Sequence, residues 1–208
     1  EYICGGEEDY NSYRPAALPP IPADQHLGYV QPYADSPLDG EPVGETVYLN
    51  LISKARRYVY ITTPYLIVSD SVNTALCSAA KSGVDVRIMT PHIPDKKIIF
   101  EVTRAHYEPL LEAGVRIFEY TPGFVHGKNF AVDDIYATVG SINMDYRSMF
   151  LHFEDGVWLC GAPAVLDVKR DFLDTLAVCQ EITLARCRER SMLRRLLRAV
   201  LRVFAPLM

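Results

Sequence analysis

The sequence lacks several features that would place it in a specialised class of proteins. No apolar run approaches the roughly 18 residues that a membrane-spanning helix requires, and the longest candidate, 58–68, contains Thr62, Thr63 and Pro64. The 208 residues carry 21 Lys and Arg against 26 Asp and Glu, which disfavours a general nucleic-acid-binding protein because such proteins are usually basic. The apolar share of 49% excludes wholesale disorder. We therefore expect a globular chain without a nucleic-acid partner.

Cysteine is scarce and lacks the spacing of a structural site. The five Cys residues are an odd set without any C-x-x-C pair, so neither a disulfide framework nor a zinc site is expected, and reduced thiols in a cytosolic setting are the default. Ligand clusters typical of other metals are missing too. The sequence also has no signal peptide and begins with Glu1 instead of Met. We expect it to be a piece of a longer protein.

Charge divides the chain into three predicted regions. Residues 1–45 contain nine acids, one base and seven prolines, and we predict an extended acidic arm or linker, rich in Pro and Tyr. Residues 46–185 carry a net charge of about -3 and are predicted to form the catalytic domain. Residues 186–208 contain seven Arg and one acid. Ends of such different charge suggest different roles.

The periodicity of the middle region alternates between helix and strand. Predicted helices span 45–56, 70–82, 95–114 and 162–181, and Asp70 or Ser71 is expected to cap the second. Predicted strands span 57–63, 84–90, 115–120, 128–132, 136–140 and 153–160. The phrases AAKSGVDVRIM and LLEAGVRIFEY both place a helix, a glycine and a strand in succession, as repeated βα units do. We predict an α/β fold in which a mixed sheet of about six strands is flanked by helices on both faces.

A group of polar residues between 126 and 154 carries the chemistry. His126 and Lys128 are two residues apart on a predicted strand, so both side chains should face the same cleft. Burying the two together is costly unless an anion lies between them. Lys128 supplies a positive charge, Ser141 a hydroxyl and Asn143 an amide donor. These groups together would hold a phosphate.

Three further roles follow from this arrangement. His126 is the candidate nucleophile, because imidazole is a competent covalent catalyst. Glu154 is expected to accept the other ring N–H of His126 and to fix its tautomer. Asp133 is a third candidate catalytic residue, but it lies in a predicted hairpin turn and a structural role there is the alternative.

The pattern His126-x-Lys128-x4-Asp133, followed by Gly140-Ser141-x-Asn143, closely resembles the motif of the phospholipase D superfamily. The resemblance implies that His126 is the nucleophile that forms a phosphohistidine, or else its general acid/base partner. It also implies phosphate contacts for Lys128, Ser141 and Asn143, and an orienting role for Glu154. That family uses two such motifs and this chain has one, so the second His is expected from an upstream half or a second copy.

Longer phrases resemble the bacterial cardiolipin synthases of the phospholipase D type. They include RYVYITTPYLI, EAGVRIFEYTPGFVHGK and ATVGSINMDYRS, and the likeness covers roughly residues 28–208. That family often has Ala and Thr where Gly127 and Asn129 stand. The resemblance implies a C-terminal half-enzyme that makes cardiolipin and glycerol from two phosphatidylglycerol molecules. No metal, nucleotide or other cofactor is implied.

Weaker signals concern the headgroup and the membrane. Tyr65 and His92 follow predicted strands and are candidate headgroup contacts, although strand-end packing and a solvated loop are the respective alternatives. Arg190, Arg194, Arg198 and Arg202 recur every four residues within a predicted basic amphipathic helix over 186–208. That helix either lies on an anionic membrane surface or docks on its own domain. With a membrane substrate implied, we expect the cytoplasmic side of a bacterial cell membrane, the fragment itself being soluble or peripheral.

Two other functions stay open from the sequence. One is a homodimeric phosphodiesterase of the phospholipase D type that hydrolyses phospholipid. The other is a catalytically silent domain that binds membranes or mediates assembly.

Overall fold

The computed structural model describes Ser12 and residues 27–189. The strands are β1 (Tyr29–Asp35), β2 (Tyr58–Thr62), β3 (Asp85–Pro91), β4 (Arg116–Tyr120), β5 (Asn129–Val132), β6 (Tyr136–Gly140), β7 (Glu154–Cys160) and β8 (Cys179–Ile182). The helices are α1 (Val43–Lys54), α2 (Asp70–Lys81), α3 (Lys97–Ala105), α4 (Tyr107–Glu112), α5 (Tyr146–Phe150), α6 (Ala164–Leu176) and α7 (Leu184–Arg188). The strands form one sheet in the order β1-β7-β6-β5-β2-β3-β4-β8.

The direction of the strands decides which residues meet. β2, β3 and β4 are parallel, whereas every other pair of neighbours is antiparallel. The carboxyl ends of β2, β3, β4 and β6 therefore lie at the same end of the sheet as the first residues of β5 and β7. We call this the His126 end of the sheet, because His126 immediately precedes β5.

Strand β2 shows how both faces of the sheet become buried. Val59 and Ile61 belong to the main core beneath α1, α2 and α4. Tyr58 and Tyr60 project from the opposite face, where the Tyr60 ring stacks on Phe172 of α6 with centroids 4.9 Å apart. Alternate residues of one strand thus pack into two different cores. The prediction of a mixed sheet with helices on both faces is confirmed.

Two strands were not expected from the sequence. Residues 1–45 were predicted to be an extended arm, but β1 pairs along its whole length with β7. Most of β1 is exposed and it contains Pro32, which is tolerated in an edge strand, so the segment shows no apolar alternation. The predicted helix over 162–181 ends at Leu176, and β8 follows as the opposite edge strand beside β4. The described sheet has eight strands instead of about six.

Two helix predictions also need correction. The predicted helix over 95–114 is divided at His106 into α3 and α4. Pro109 explains the division, since proline lacks an N–H and is tolerated only in the first turn of a helix. The cap of α2 is Ser69, whose Oγ accepts from the Val72 N–H at 3.3 Å, and neither Asp70 nor Ser71 is the cap.

The ends of the chain lie mostly outside the described residues. This applies to 1–26 apart from Ser12, and to 190–208, where most of the predicted basic helix falls. Between 27 and 189, no helix has both the length and the apolar character needed to cross a bilayer.

Candidate active site

The His126 end of the sheet gathers most of the predicted site residues. His126 and Lys128 precede β5, Ser141 follows β6, and Glu154 begins β7. Backbone hydrogen bonds fix the register of these strands, because Gly140 N donates to Lys128 O at 3.2 Å and Ser141 N donates to Asp155 O at 2.8 Å. Three neighbouring strands therefore bring four residues to one place although 28 positions separate the first from the last in the sequence.

His126 and Lys128 are in direct contact. The Lys128 Nζ lies 2.9 Å from His126 Nδ1 and 3.1 Å from Nε2, and it donates to the His126 carbonyl oxygen at 2.7 Å. His126 is exposed, whereas Lys128 is only 8% exposed. An exposed imidazole therefore stands over a buried ammonium, which is an arrangement suited to binding an anion from the solvent side.

The environment lowers the pKa of both groups. Burial and the Lys128 ammonium lower the pKa of His126, and Asp95 acts against them. Burial also lowers the pKa of Lys128, while Glu154 and Asp145 act in the opposite direction. Since a nucleophilic imidazole must be neutral, the lowered pKa of His126 favours its reactive form.

Glu154 is bound to other partners than the one expected. Ser141 Oγ donates to its Oε2, and its Oε1 lies 3.7 Å from His152 Nδ1. Within residues 27–189 it makes no hydrogen bond with His126, so the predicted contact is wrong for this arrangement. The reason is the pairing of β6 with β7, which sets Ser141 beside the Glu154 carboxylate.

Asn143 has its amide engaged by a neighbouring helix. Its Nδ2 donates to Ser148 Oγ at 2.9 Å, while its Oδ1 is buried without a partner in the described part of the chain. Asp145 caps α5 by accepting from the Ser148 N–H at 2.8 Å. An amide donor to phosphate requires Nδ2, and here Nδ2 is engaged by Ser148 and Asp145.

Asp133 lies at the other end of β5 from His126. Its carboxylate accepts from three consecutive backbone N–H groups, those of Arg56 at 2.6 Å, Arg57 at 2.9 Å and Tyr58 at 2.8 Å. Four strand residues span about 13 Å, so Asp133 does not reach a phosphate held at His126. Its assignment as a catalytic residue is corrected to the structural role that a hairpin turn allowed.

The two candidate headgroup residues lie on the loops after β2 and β3. Tyr65 donates to Asp95 Oδ2 at 2.5 Å, and its ring lies 6.3 Å from that of Phe124. The Phe124 ring in turn lies 5.7 Å from the imidazole of His126. Tyr65 is thus joined to the site through one intervening aromatic ring.

His92 is held by a carboxylate beneath it. Its Nδ1 lies 2.8 Å from Oε2 of Glu119, which is completely buried. Sequence reasoning did not identify Asp95, Phe124 or Glu119. A Phe before His126 and an Asp after a strand are common, so only the folded arrangement distinguishes them.

Taken together, these residues can bind and attack a phosphodiester from one side. His126 supplies a nucleophile or a proton-transfer group, Lys128 a cation and Ser141 a hydroxyl. Within residues 27–189, no second histidine sits above a lysine as His126 does. The described residues therefore supply the groups for one side of phosphorus.

Known proteins with similar sequences point the same way. Residues 48–176 match the family model described as cardiolipin synthase, PLD-like domain, where PLD stands for phospholipase D. The chain is 37% identical over 181 residues to a cardiolipin synthase of Halalkalibacterium halodurans, covering 87% of this chain and 36% of that protein. It is 47% identical over 181 residues to an uncharacterized protein of Streptococcus mutans, covering 87% of this chain and 39% of that protein. The chain thus spans under two fifths of these relatives.

Solved structures share the fold at low identity. A phospholipase D family member, Nuc from Salmonella typhimurium, superposes with a TM-score of 0.64 at 18% identity, covering 74% of this chain and 98% of that one. The phosphatidylserine synthase of Haemophilus influenzae gives a TM-score of 0.66 at 16% identity, covering 86% of this chain and 45% of that one. The fold is therefore that of the phospholipase D family, and the chain belongs to the family of cardiolipin synthase, PLD-like domains.

Proposed function

We propose that this chain is the C-terminal half of a phosphatidyltransferase that converts two phosphatidylglycerol molecules into cardiolipin and glycerol. The observation that carries the proposal is the exposed His126 imidazole in contact with the buried Lys128 ammonium, at the same end of the sheet as Ser141 and Glu154. The membership of a family named for cardiolipin synthase supports the choice of reaction.

The reaction exchanges one phosphodiester for another. A ring nitrogen of His126 attacks phosphorus, a P–N bond forms, and the P–O bond to glycerol breaks. A histidine from the other half protonates the leaving alkoxide. The same histidine then takes the proton from a hydroxyl of the second phosphatidylglycerol, whose oxygen attacks phosphorus as the P–N bond breaks. Lys128 offsets charge on the phosphoryl oxygens. The two histidines can also exchange roles: the histidine of the other half then attacks phosphorus, and His126 transfers the proton.

The second histidine comes from an upstream half of the same protein or from a second copy of this chain. We place the assembled enzyme at the cytoplasmic side of a bacterial cell membrane. The arginine-rich segment 190–208 provides contact with anionic lipid, at about 1 kcal/mol for each Arg near the surface. Vesicle flotation with and without residues 190–208 tests this contact, and equal binding of the two chains contradicts it.

Product analysis tests the proposed reaction. The chain joined to its upstream half is incubated with vesicles of labelled phosphatidylglycerol, and the lipid products are separated. Cardiolipin and free glycerol in equal amounts support the proposal, whereas phosphatidic acid indicates hydrolysis. The variant His126→Ala is expected to lose at least a thousandfold in rate, and full activity of that variant removes His126 from the mechanism.

A further inference from the structure

A buried ionic cluster is centred on β4, three strands away from β5, and the reaction described above does not use it. At its centre is Glu119 of β4, whose side chain is only 1% exposed. Arg104 of α3 donates to both of its oxygens, at 2.8 Å and 2.6 Å. Tyr107 donates to Oε1 at 3.3 Å and His92 Nδ1 lies 2.8 Å from Oε2. Burying a carboxylate this completely is costly unless it is paired and fully hydrogen-bonded.

The cluster determines which ring nitrogen of His92 is left for a ligand. Arg104 donates to both oxygens of Glu119, so the carboxylate acts as an acceptor in this cluster. His92 faces that carboxylate through Nδ1, which leaves Nε2 as the ring nitrogen that can bind a ligand. The side chain of His92 is 38% exposed, and Nε2 has no hydrogen-bond partner within residues 27–189. A ring nitrogen of fixed position thus faces solvent.

This ring nitrogen lies at the His126 end of the sheet. His92 directly follows β3, and its N–H donates to Tyr120 O at 3.0 Å, which extends the β3–β4 pairing by one residue. β3 is two strands from β5, a separation of roughly 10 Å. Between them, a chain of side-chain contacts runs from Asp95 through Tyr65 and Phe124 to His126. A substrate whose phosphate binds at Lys128 can therefore place the end of a short headgroup near His92.

We propose that His92 is a specificity-determining residue whose Nε2 forms a hydrogen bond with a free hydroxyl of the substrate's glycerol headgroup, and that Glu119 and Arg104 are its positioning residues. This inference rests on the proposed function and names a contact within it. Such a contact favours a hydroxyl-bearing headgroup over one of equal length without hydroxyls, because only the former can form a hydrogen bond with Nε2.

The test compares two lipids that share a phosphodiester. Phosphatidylglycerol and phosphatidylpropanol both carry a three-carbon headgroup, but the second has no free hydroxyl. The complete two-half enzyme is assayed for release of glycerol and of propanol in mixed micelles that contain both lipids, so that phosphatidylglycerol is the acceptor for either phosphatidyl group. His92→Ala is expected to lower kcat/KM for phosphatidylglycerol about tenfold, the equivalent of one hydrogen bond, and to change that for phosphatidylpropanol less than twofold. His92→Gln, whose amide can both donate to Glu119 and accept from the ligand, should recover part of the preference.

A double-mutant cycle tests the positioning residues. Glu119→Gln should lower the preference for phosphatidylglycerol, and adding it to His92→Ala should lower the preference no further. The ratio of the two substrates is measured in one sample, so it does not depend on the folded fraction. Lys97→Ala is the control, because Lys97 is an exposed charge at the start of α3 and acts equally on two anionic lipids.

The outcomes separate the two proposals. An active wild-type enzyme whose His92→Ala variant loses both substrates equally, or neither, overturns the role of His92 alone. Additive losses in the cycle overturn the positioning role of Glu119. A wild-type enzyme that releases no glycerol from phosphatidylglycerol overturns the proposed function and, with it, this inference.

Discussion

The contact between His126 and Lys128 has a measurable electrostatic consequence. Burial and the adjacent ammonium both lower the pKa of His126 from its ordinary value of 6.5. The folded protein therefore binds this proton less tightly than the unfolded chain does, and the pair destabilises the fold as the pH falls below that value. At neutral pH the unfavourable contribution is absent and the ring is neutral.

We predict that the titration midpoint of His126 lies below 6.5 and rises in the variant Lys128→Met. Removing the ammonium removes a like charge that opposes protonation. Histidine-resolved NMR titration of the chain measures both midpoints, with His126→Asn identifying the resonance. Lys97→Ala removes a charge outside this contact and should leave the midpoint unchanged. A midpoint that stays the same or falls in Lys128→Met contradicts the electrostatic account.

Asp133 has a role in stability instead of chemistry. It satisfies three backbone N–H groups of the segment that enters β2, and its own φ of 55° lies in the left-handed region. Asn tolerates that region and retains one acceptor oxygen, whereas Ala provides neither advantage. We predict that Asp133→Asn lowers the free energy of unfolding by about 2 kcal/mol and Asp133→Ala by about 4 kcal/mol.

Denaturant unfolding of the chain measures these differences, and the two-half enzyme gives the corresponding rates. Per folded molecule, Asp133→Asn should retain a kcat within about threefold of the wild type, because the whole length of β5, about 13 Å, lies between the residue and His126. A thousandfold loss of kcat at unchanged stability would restore Asp133 to the catalytic residues.

Among the elements, β6 and β7 hold the site through a close backbone approach at Gly140. A Cβ there would lie 2.3 Å from Asp155 O and 2.7 Å from the Gly156 Cα, so no side chain fits without separating the strands. Ser141 immediately follows and carries the contact with Glu154. The spacing of the two strands therefore sets the position of two site residues.

We predict that Gly140→Ala lowers the free energy of unfolding by about 2–3 kcal/mol and reduces activity at least tenfold. Gly127→Ala is a matched control beside His126, since its Cβ would meet Thr62 Cγ2 at 3.4 Å, an ordinary contact. Thermal unfolding and the glycerol-release assay compare the two variants. Equal behaviour of the two would show that the close approach at Gly140 is not a constraint.

The elements also show which parts of the fold sequence patterns can predict. The parallel strands and the β5–β6 hairpin were predictable, because buried apolar runs and the Asp133–Asp134 turn carry local signals. β1 and β8 were not, since edge strands bury little apolar surface and owe their form to the neighbour with which they pair. The same limit applies to Glu154. Its spacing from His126 is visible in the sequence, but its hydrogen bond with Ser141 is not.

At the scale of the whole molecule, the domain begins earlier than charge and proline content suggested. β1 covers the edge of β7, and the Asp35 carboxylate accepts from the Gly44 N–H at 2.7 Å, which joins β1 to the start of α1. Tyr33 is hydrogen-bonded to Thr138 at 2.8 Å and lies over Gly156, where a Cβ would come within 2.5 Å of its ring. These contacts make residues 27–45 part of the folded unit.

We therefore predict that a chain starting at residue 27 is more stable than one starting at residue 46. The shorter chain loses the Asp35 and Tyr33 hydrogen bonds, which contribute about 1 kcal/mol each, and it exposes β7 as an unprotected edge that promotes aggregation. We expect its free energy of unfolding to fall by about 2 kcal/mol or more, measured by urea denaturation, with a larger oligomeric fraction in size-exclusion chromatography. Tyr33→Phe in the longer chain separates the hydroxyl contribution from that of strand pairing.

Because Glu154 and Ser141 lie on the strand pair that β1 protects, the shorter chain should also lose activity when it is joined to the upstream half. Equal stability of the two chains would mean that β1 is an accessory strand and that the domain begins with α1.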